Sequence, residues 1–78
     1  MSCRSLLTLD ADCRATIERV NVEFALRERL AALGLKPGRC VQIVRRLGSD
    51  GPLQVRVDHT DVVLRAADAA LIEIANGS

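Results

Sequence analysis

Apolar residues along the chain follow two different periods, and each change of period marks a new element. In segment 22–33, VEFALRERLAAL, three leucines are spaced at i, i+4 and i+7 and predict one face of a helix: Leu26, Leu30 and Leu33. Alternation of apolar and polar residues predicts about five short strands, at 14–21, 39–47, 53–58 and 71–75 and around Val62 and Leu64. The alanine-rich run AADAA predicts a helical turn at about 66–70.

The same alternation predicts which strand residues face the core. The inward positions are Ala15, Ile17, Val20, Val41, Ile43, Leu53, Val55, Val57, Val62 and Leu64. The outward positions include Cys40, Gln42, Val44, Gln54, Arg56 and Asp58. Short antiparallel strands with one buried face each close best into a small barrel, and closure would leave no exposed sheet edge. We therefore predict a mainly β fold, a small barrel with the helix across one opening.

The segment LGLKPG marks the junction between the helix and the central strands. Asn21 is a candidate N-cap, and Gly34 is placed to end the helix in the left-handed conformation. Leu35 then follows in the position where an apolar residue folds back onto the last helical turn. Pro37-Gly38 predicts a type II turn, from which the next strand starts.

Length and composition restrict the classes of function. A chain of 78 residues forms one domain, 1–78, and we expect a core over about 5–75 with flexible ends. A core of this size has no room for a large internal cavity, so function is expected at the surface and catalysis is not. A formal charge of +1 and a single aromatic residue, Phe24, argue against nucleic-acid binding. No apolar stretch of about 20 residues and no export signal is present, which predicts a cytoplasmic protein without membrane insertion.

Three residues are candidate metal ligands, Cys13, Cys40 and His59, because thiolate and imidazole groups suit zinc or ferrous iron. Cys3 is a further thiol near the start of the chain. The cysteines form no CxxC motif, and one histidine does not complete an ordinary zinc site within a single chain. The alternative is structural, with Cys40 as a small strand residue, Cys13 in a loop and His59 in a polar hairpin turn. We expect no cofactor, and no metal beyond weak transition-metal binding at these residues; the ligand interpretation remains the rival.

The order of these motifs resembles the bacterial ferrous iron transport protein A family, FeoA, over roughly residues 5–75. The pattern L-x-x-L-G-L-x-x-G is held by Leu30, Leu33, Gly34, Leu35 and Gly38. The family pattern continues with a strand that ends in a basic pair, here Arg45-Arg46, and with Gly51-Pro52 after it. The family's L-x-L-R motif corresponds to Val62, Leu64 and Arg65. The alanine-rich turn comes next, and the pattern ends with Ile72 and Ile74. This chain departs from the family in having Asp10 to Cys13 where relatives often have a Pro-Gly turn, and in its DHTD hairpin, where relatives tend to have a glycine.

The resemblance implies an SH3-like barrel and a non-enzymatic cytoplasmic accessory protein. Its partner would be the membrane ferrous iron transporter, whose cytoplasmic part includes a GTP-binding domain. The rival hypothesis is a metal-responsive sensor or carrier that uses Cys13, Cys40 and His59, alone or across a dimer. A third is self-association, because small barrels readily pair edges or exchange elements.

Partner contacts are expected from basic residues around the helix-to-strand junction. Lys36, Arg39, Arg45 and Arg46 would form a cationic rim suited to acidic groups on a partner. The alternative without a binding role is that these side chains only keep a small protein soluble. Leu35 is the apolar candidate for a contact, provided that its helix cap leaves it partly exposed; a closed cap would bury it.

Overall fold

The computed structural model describes residues 4–48 and 51–75, and this part of the chain is mainly β-strand. Its strands are β1 (Arg4–Ser5), β2 (Arg14–Val20), β3 (Cys40–Arg46), β4 (Leu53–Val57), β5 (Thr60–Leu64) and β6 (Ile72–Ala75). Its helices are α1 (Phe24–Ala32), α2 (Ala66–Ala69) and a 3₁₀ turn at Leu6–Thr8. The predicted strands, helix and helical turn are confirmed. The predicted flexible ends fall largely on 1–3 and 76–78, outside the described residues.

One six-stranded antiparallel sheet contains all of these strands, in the order β1-β6-β2-β3-β4-β5. Strands β3, β4 and β5 follow one another as an antiparallel meander, and β2 pairs with the other side of β3. Within the described residues β1 and β5 each pair with a single neighbour and not with each other. The expectation that closure removes every exposed edge is therefore wrong, because the sheet curls around its core without completing the hydrogen-bonded ring.

The core lies on the inner face of the curled sheet, as the alternation predicts. Its residues are Leu6, Leu9, Ala15, Ile17, Val20, Leu30, Leu35, Val41, Ile43, Leu53, Val55, Val57, Leu64, Ala69, Ile72 and Ile74, with Val62 packed partly against them. The pairing of β2 with β6 shifts register between Ile17 and Arg19. A bulge of this kind inserts one residue, so Val20 returns to the inner face although it is three positions from Ile17.

Helix α1 covers the core with few of its residues. Leu30 is buried and Leu26 is packed partly against the core, but Leu33 is 42% exposed, so its predicted place on the buried face is wrong. The helix also starts later than predicted, with Glu23 as N-cap residue and no side-chain capping bond. The predicted N-cap, Asn21, instead donates its amide to the Glu73 Oε2 of β6 at 2.6 Å. Neither helix in the described part of the chain is long and apolar enough to cross a bilayer.

The C-terminal end of α1 is closed as the sequence predicts. The Leu35 N–H donates to the Leu30 carbonyl and the Gly34 N–H to the Ala31 carbonyl, each at 2.9 Å, which is the Schellman arrangement. Gly34 has a φ of +98°, in the left-handed region that side chains other than hydrogen disfavour. In the turn that follows, Gly38 has a φ of +93° and the Arg39 N–H donates to the Lys36 carbonyl. Both the cap and the type II turn are confirmed.

The N-terminal segment, which the pattern did not predict, completes the core. Leu6 is fully buried and Leu9 nearly so. The Ser5 hydroxyl accepts a bond from the Leu7 N–H at 3.1 Å, which caps the 3₁₀ turn. Strand β1 pairs with β6, so the first described residues lie beside the last strand.

Candidate functional site

Polar side chains on the outer face of β2, β3 and β4 surround an open depression of about 390 Å³. It is lined by Arg14, Cys40, Gln42, Arg56 and Asp58. The register explains why these side chains meet: Arg14 pairs with Gln42, and Gln42 pairs with Arg56. Directly paired residues project to the same face of an antiparallel sheet, so the three form a row across β2, β3 and β4. We call these five residues the outer depression.

One side of the outer depression carries a bidentate ion pair. The Arg56 Nε lies 2.6 Å from the Asp61 Oδ1, and its Nη2 lies 3.1 Å from the Oδ2. Gln54 donates to the same Oδ2 at 3.1 Å. The hydrogen bond from Arg56 holds the pKa of Asp61 below its ordinary value, and the same bond raises the pKa of Arg56. Both groups are solvent-exposed, so water and salt screen the interaction.

A second ion pair lies at the hairpin that joins β4 to β5. The Arg39 Nη1 donates to the Asp58 Oδ2 at 2.8 Å. Asp58 has a φ of +57°, a conformation that aspartate tolerates better than most residues. A positive φ is the conformation that glycine adopts most readily, so this position would also accept a glycine.

Arg14 and Gln42 differ from their charged neighbours because neither side chain has an internal partner. Among the residues that the structure describes, neither side chain makes a hydrogen bond or an ion pair. An arginine carries five N–H donors and no acceptor, and the glutamine amide offers two further donors. The outer depression therefore presents unused donors beside a thiol, Cys40.

The predicted cationic rim does not form a single surface. Lys36 and Arg39 precede β3, whereas Arg45 and Arg46 end it, and the five residues 40–44 separate the two groups by roughly 20 Å. Arg45 donates to the Gln54 Oε1 at 2.9 Å. Arg46 donates to the backbone carbonyls of Leu7 and Leu9 at 2.7 and 2.5 Å, so it fixes the N-terminal segment.

The apolar contact predicted at Leu35 is wrong, because the closed cap buries this side chain completely. Large apolar side chains are exposed elsewhere: Phe24 at 67%, Val63 at 60%, and Leu33, Leu47 and Leu71. The Arg27 guanidinium lies 5.7 Å from the centroid of the Phe24 ring, within the range of a cation–π contact. The only aromatic side chain of the protein thus lies on the surface.

The three candidate metal ligands lie in different settings. Cys13 and Cys40 are exposed free thiols, Cys13 before β2 and Cys40 opposite Thr16 of β2, and His59 lies in the β4–β5 turn. Within residues 4–48 and 51–75 no group of three or more His, Cys, Asp or Glu side chains is placed to hold a metal ion. The structure therefore does not bring Cys13, Cys40 and His59 together as one ligand set.

The sequence predicted only part of the outer depression. Alternation placed Gln42, Cys40, Arg56 and Asp58 outward on two separate strands, but it carried no information on which positions would be neighbours. Arg14 was not singled out, since a lone arginine at the start of a strand has no distinguishing pattern. The signal that identifies the site is the pairing register of β2, β3 and β4, which depends on the whole sheet.

Known proteins with the same fold include members of one bacterial family. The FeoA domain model matches residues 4–76. The solution structure of FeoA protein from Chlorobium tepidum is 28% identical, with a TM-score of 0.86 over 95% of this chain and 73% of that one. FeoA from Stenotrophomonas maltophilia, a prokaryotic SH3-domain protein crystallised with zinc, is 28% identical, with a TM-score of 0.78 over 91% of this chain and 88% of its own.

A third solved structure, iron(II) transport protein A from Clostridium thermocellum, is 30% identical, with a TM-score of 0.83 over 90% of this chain and 43% of that one. A search of the curated proteins finds no match. The likeness to the Stenotrophomonas protein confirms the predicted SH3-like barrel. Since the domain model spans nearly the whole chain and these structures share its sheet, the protein belongs to the FeoA family.

Proposed function

We propose that this protein is a non-enzymatic cytoplasmic accessory protein of ferrous iron uptake, which binds the cytoplasmic part of the ferrous iron transporter and modulates transport. The observation that carries the proposal is the FeoA domain match over residues 4–76, because membership in this family implies a role in ferrous iron transport. The outer surface supports a binding role, since it combines an open polar depression with exposed apolar side chains.

The mechanism we propose is differential binding. A protein that binds two states of a transporter equally tightly shifts neither, so the module must prefer one conformation or one nucleotide state of the GTP-binding domain. A tenfold difference in affinity between two states corresponds to about 1.4 kcal/mol of coupling. A difference of that size is within reach of a few surface contacts.

Two measurements test this proposal together. The first is uptake of radiolabelled ferrous iron in a strain that lacks the gene, with and without the gene restored. The second is binding of the purified protein to the transporter's purified cytoplasmic domain, loaded in turn with GDP and with a non-hydrolysable GTP analogue. We expect altered uptake on deletion, restoration on complementation, and a different dissociation constant in the two nucleotide states. Unchanged uptake together with no binding in either state would contradict the proposal.

Lys36 is the predicted contact residue best suited to a substitution test. Its side chain is exposed and makes no hydrogen bond or ion pair with the described residues, whereas Arg39, Arg45 and Arg46 hold internal contacts. We expect Lys36→Gln to slow association with the transporter domain and to weaken its salt dependence, without lowering the melting temperature.

Replacement of the thiols distinguishes the proposed interaction module from the rival metal-sensor hypothesis. Zinc is bound in the Stenotrophomonas relative, but the described residues of this chain hold no three-ligand group. A metal site built from the described residues alone would therefore need ligands from a second copy. The interaction module should retain its effect on uptake when Cys13 and Cys40 are both replaced by serine. Loss of that effect, together with loss of metal-dependent dimerisation in light scattering, would favour the sensor.

A further inference from the structure

The charged groups at the outer depression are unequally paired. Asp58 and Asp61 each lie against an arginine, at 2.8 Å from Arg39 and 2.6 Å from Arg56. Arg14 has no such partner among the described residues. Around the outer depression three guanidinium groups, of Arg14, Arg39 and Arg56, therefore meet these two carboxylates, and the charge of Arg14 is left without compensation.

The uncompensated charge lies beside a second donor group. Arg14 and Arg56 occupy the two outer positions of the row, and the shorter Gln42 lies between them. Neighbouring strands are separated by about 4.8 Å, so roughly 10 Å separate the backbones of the two arginines. This spacing leaves room above Gln42 for a small planar group, which the guanidinium of Arg14 and the amide of Gln42 can both reach.

The charge balance selects the class of ligand. A carboxylate carries one negative charge, accepts two parallel hydrogen bonds from a guanidinium and would neutralise the site. A phosphate dianion would leave an excess negative charge. A nucleic acid would need several basic contacts, and no aromatic ring is present at this face for base stacking.

We propose that the outer depression binds a single carboxylate, presented by an aspartate or glutamate side chain of a protein partner, with Arg14 as the main donor and Gln42 as the second. Arg56 and Asp58 form the walls and remain in their own ion pairs, so they shape the site without giving up internal contacts. The depression is open, which suits a side chain projecting from a protein surface better than a free metabolite that must be enclosed.

The identity of that partner as the ferrous iron transporter rests on the proposed function, but the site itself does not. The first test therefore uses a defined probe, the blocked tripeptide acetyl-Gly-Glu-Gly-amide, with acetyl-Gly-Gln-Gly-amide as the uncharged control. Titration of the isotope-labelled protein is followed by NMR at the Arg14 Nε–H, the Gln42 side-chain amide and the backbone of β3.

We expect saturable shifts at Arg14 and Gln42 with the glutamate peptide and none with the glutamine peptide. Arg14→Gln should weaken binding by about tenfold, as expected for the loss of a charge-assisted bidentate pair. Arg14→Lys should recover only part of it, because lysine retains the charge but not the planar fork. Arg29→Gln, which removes an exposed arginine of α1 outside the outer depression, is the matched control and should bind as the natural protein does.

The proposal is overturned if the glutamate peptide gives no saturable shift at Arg14 and Gln42, or if Arg14→Gln leaves those shifts unchanged. The second test measures binding of the same variants to the transporter's cytoplasmic domain. Weaker binding by Arg14→Gln identifies that domain as the source of the carboxylate. Undiminished binding by Arg14→Gln, after a positive peptide titration, leaves the site in place, retains the proposed function and assigns the carboxylate to a different protein.

Discussion

The two faces of strands β3 and β4 differ in burial, although they share the same backbone. On the inner face Val41, Ile43, Val55 and Val57 have no exposed surface. On the outer face Cys40, Gln42, Arg56 and Asp58 line the open depression. The inner face determines whether the chain folds, and the outer face has side chains whose removal costs the fold little. Substitutions on the two faces should therefore differ in kind, stability on one and binding on the other.

The largest effect is expected inside. Ile43→Ala removes a fully buried side chain and leaves a cavity, which should lower the free energy of unfolding by about 2–5 kcal/mol. Urea denaturation followed by circular dichroism measures it. Val63→Ala is the matched exposed control, since Val63 is 60% exposed on the same meander, and it should change stability by less than about 0.5 kcal/mol. Equal losses for the two variants would remove the distinction between the faces.

A smaller effect is expected where the helix cap touches the inner face. Gly34→Ala forces a side chain into the left-handed region, at about 1–2 kcal/mol, and its Cβ would lie 3.3 Å from the Val57 Cγ1. Gly38→Ala is the control, because Gly38 also has a positive φ but no atom within 4 Å of the added Cβ. Thermal unfolding of both should show Gly34→Ala as the more destabilised, and the reverse order would mean that the contact with Val57 relaxes freely.

Substitutions of the two arginines at the end of β3 should have different effects, because Arg46 holds the N-terminal segment and Arg45 makes only a surface bond. Arg46→Gln removes the bonds to the Leu7 and Leu9 carbonyls and should cost about 1 kcal/mol, with faster amide hydrogen exchange in the N-terminal segment. Arg45→Gln loses only a surface bond to Gln54 and should leave both quantities unchanged. If exchange in residues 4–9 is the same in both variants, Arg46 does not hold that segment.

The smallest effect concerns the exposed ion pair beside the depression. The hydrogen bond from Arg56 lowers the pKa of Asp61, so the folded state favours the carboxylate. Its contribution to stability is present above the pKa of the unfolded chain, about 3.9, and is lost as the pH falls through the lower folded value. Carbon-detected NMR titration of Asp61 should show the low pKa, and Arg56→Gln should raise it. An unchanged pKa in that variant would mean that the pair does not form in solution.

Local features of this fold were predictable and long-range ones were not. The cap at Gly34 and Leu35 depends on residues within one helical turn, so the sequence indicated both the left-handed glycine and the buried leucine as the closed alternative. The alternation of Leu53, Val55 and Val57 was sufficient to orient β4. In each case the responsible interactions lie within a few residues.

The errors come from contacts between distant segments. Asn21 was predicted to cap α1, but Glu73, 52 residues away, takes its side-chain amide. The two-residue strand β1 has no pattern of its own and exists because β6 pairs with it. The candidate site depends likewise on register across β2, β3 and β4, which explains why Arg14 was not foreseen and why Arg45 and Arg46 were wrongly joined to Lys36 and Arg39 in one rim.

The place of β6 between β1 and β2 has a consequence for how the protein is made. Both of these strands belong to the first part of the chain, and both obtain their shared hydrogen-bonding neighbour from residues 72–75. A ribosome releases residues 72–75 after both of these strands, so the nascent polypeptide emerges with two strand segments whose shared partner is still unsynthesised. The sheet is therefore completed only after translation of residues 72–75, when β6 can pair with β1 and β2.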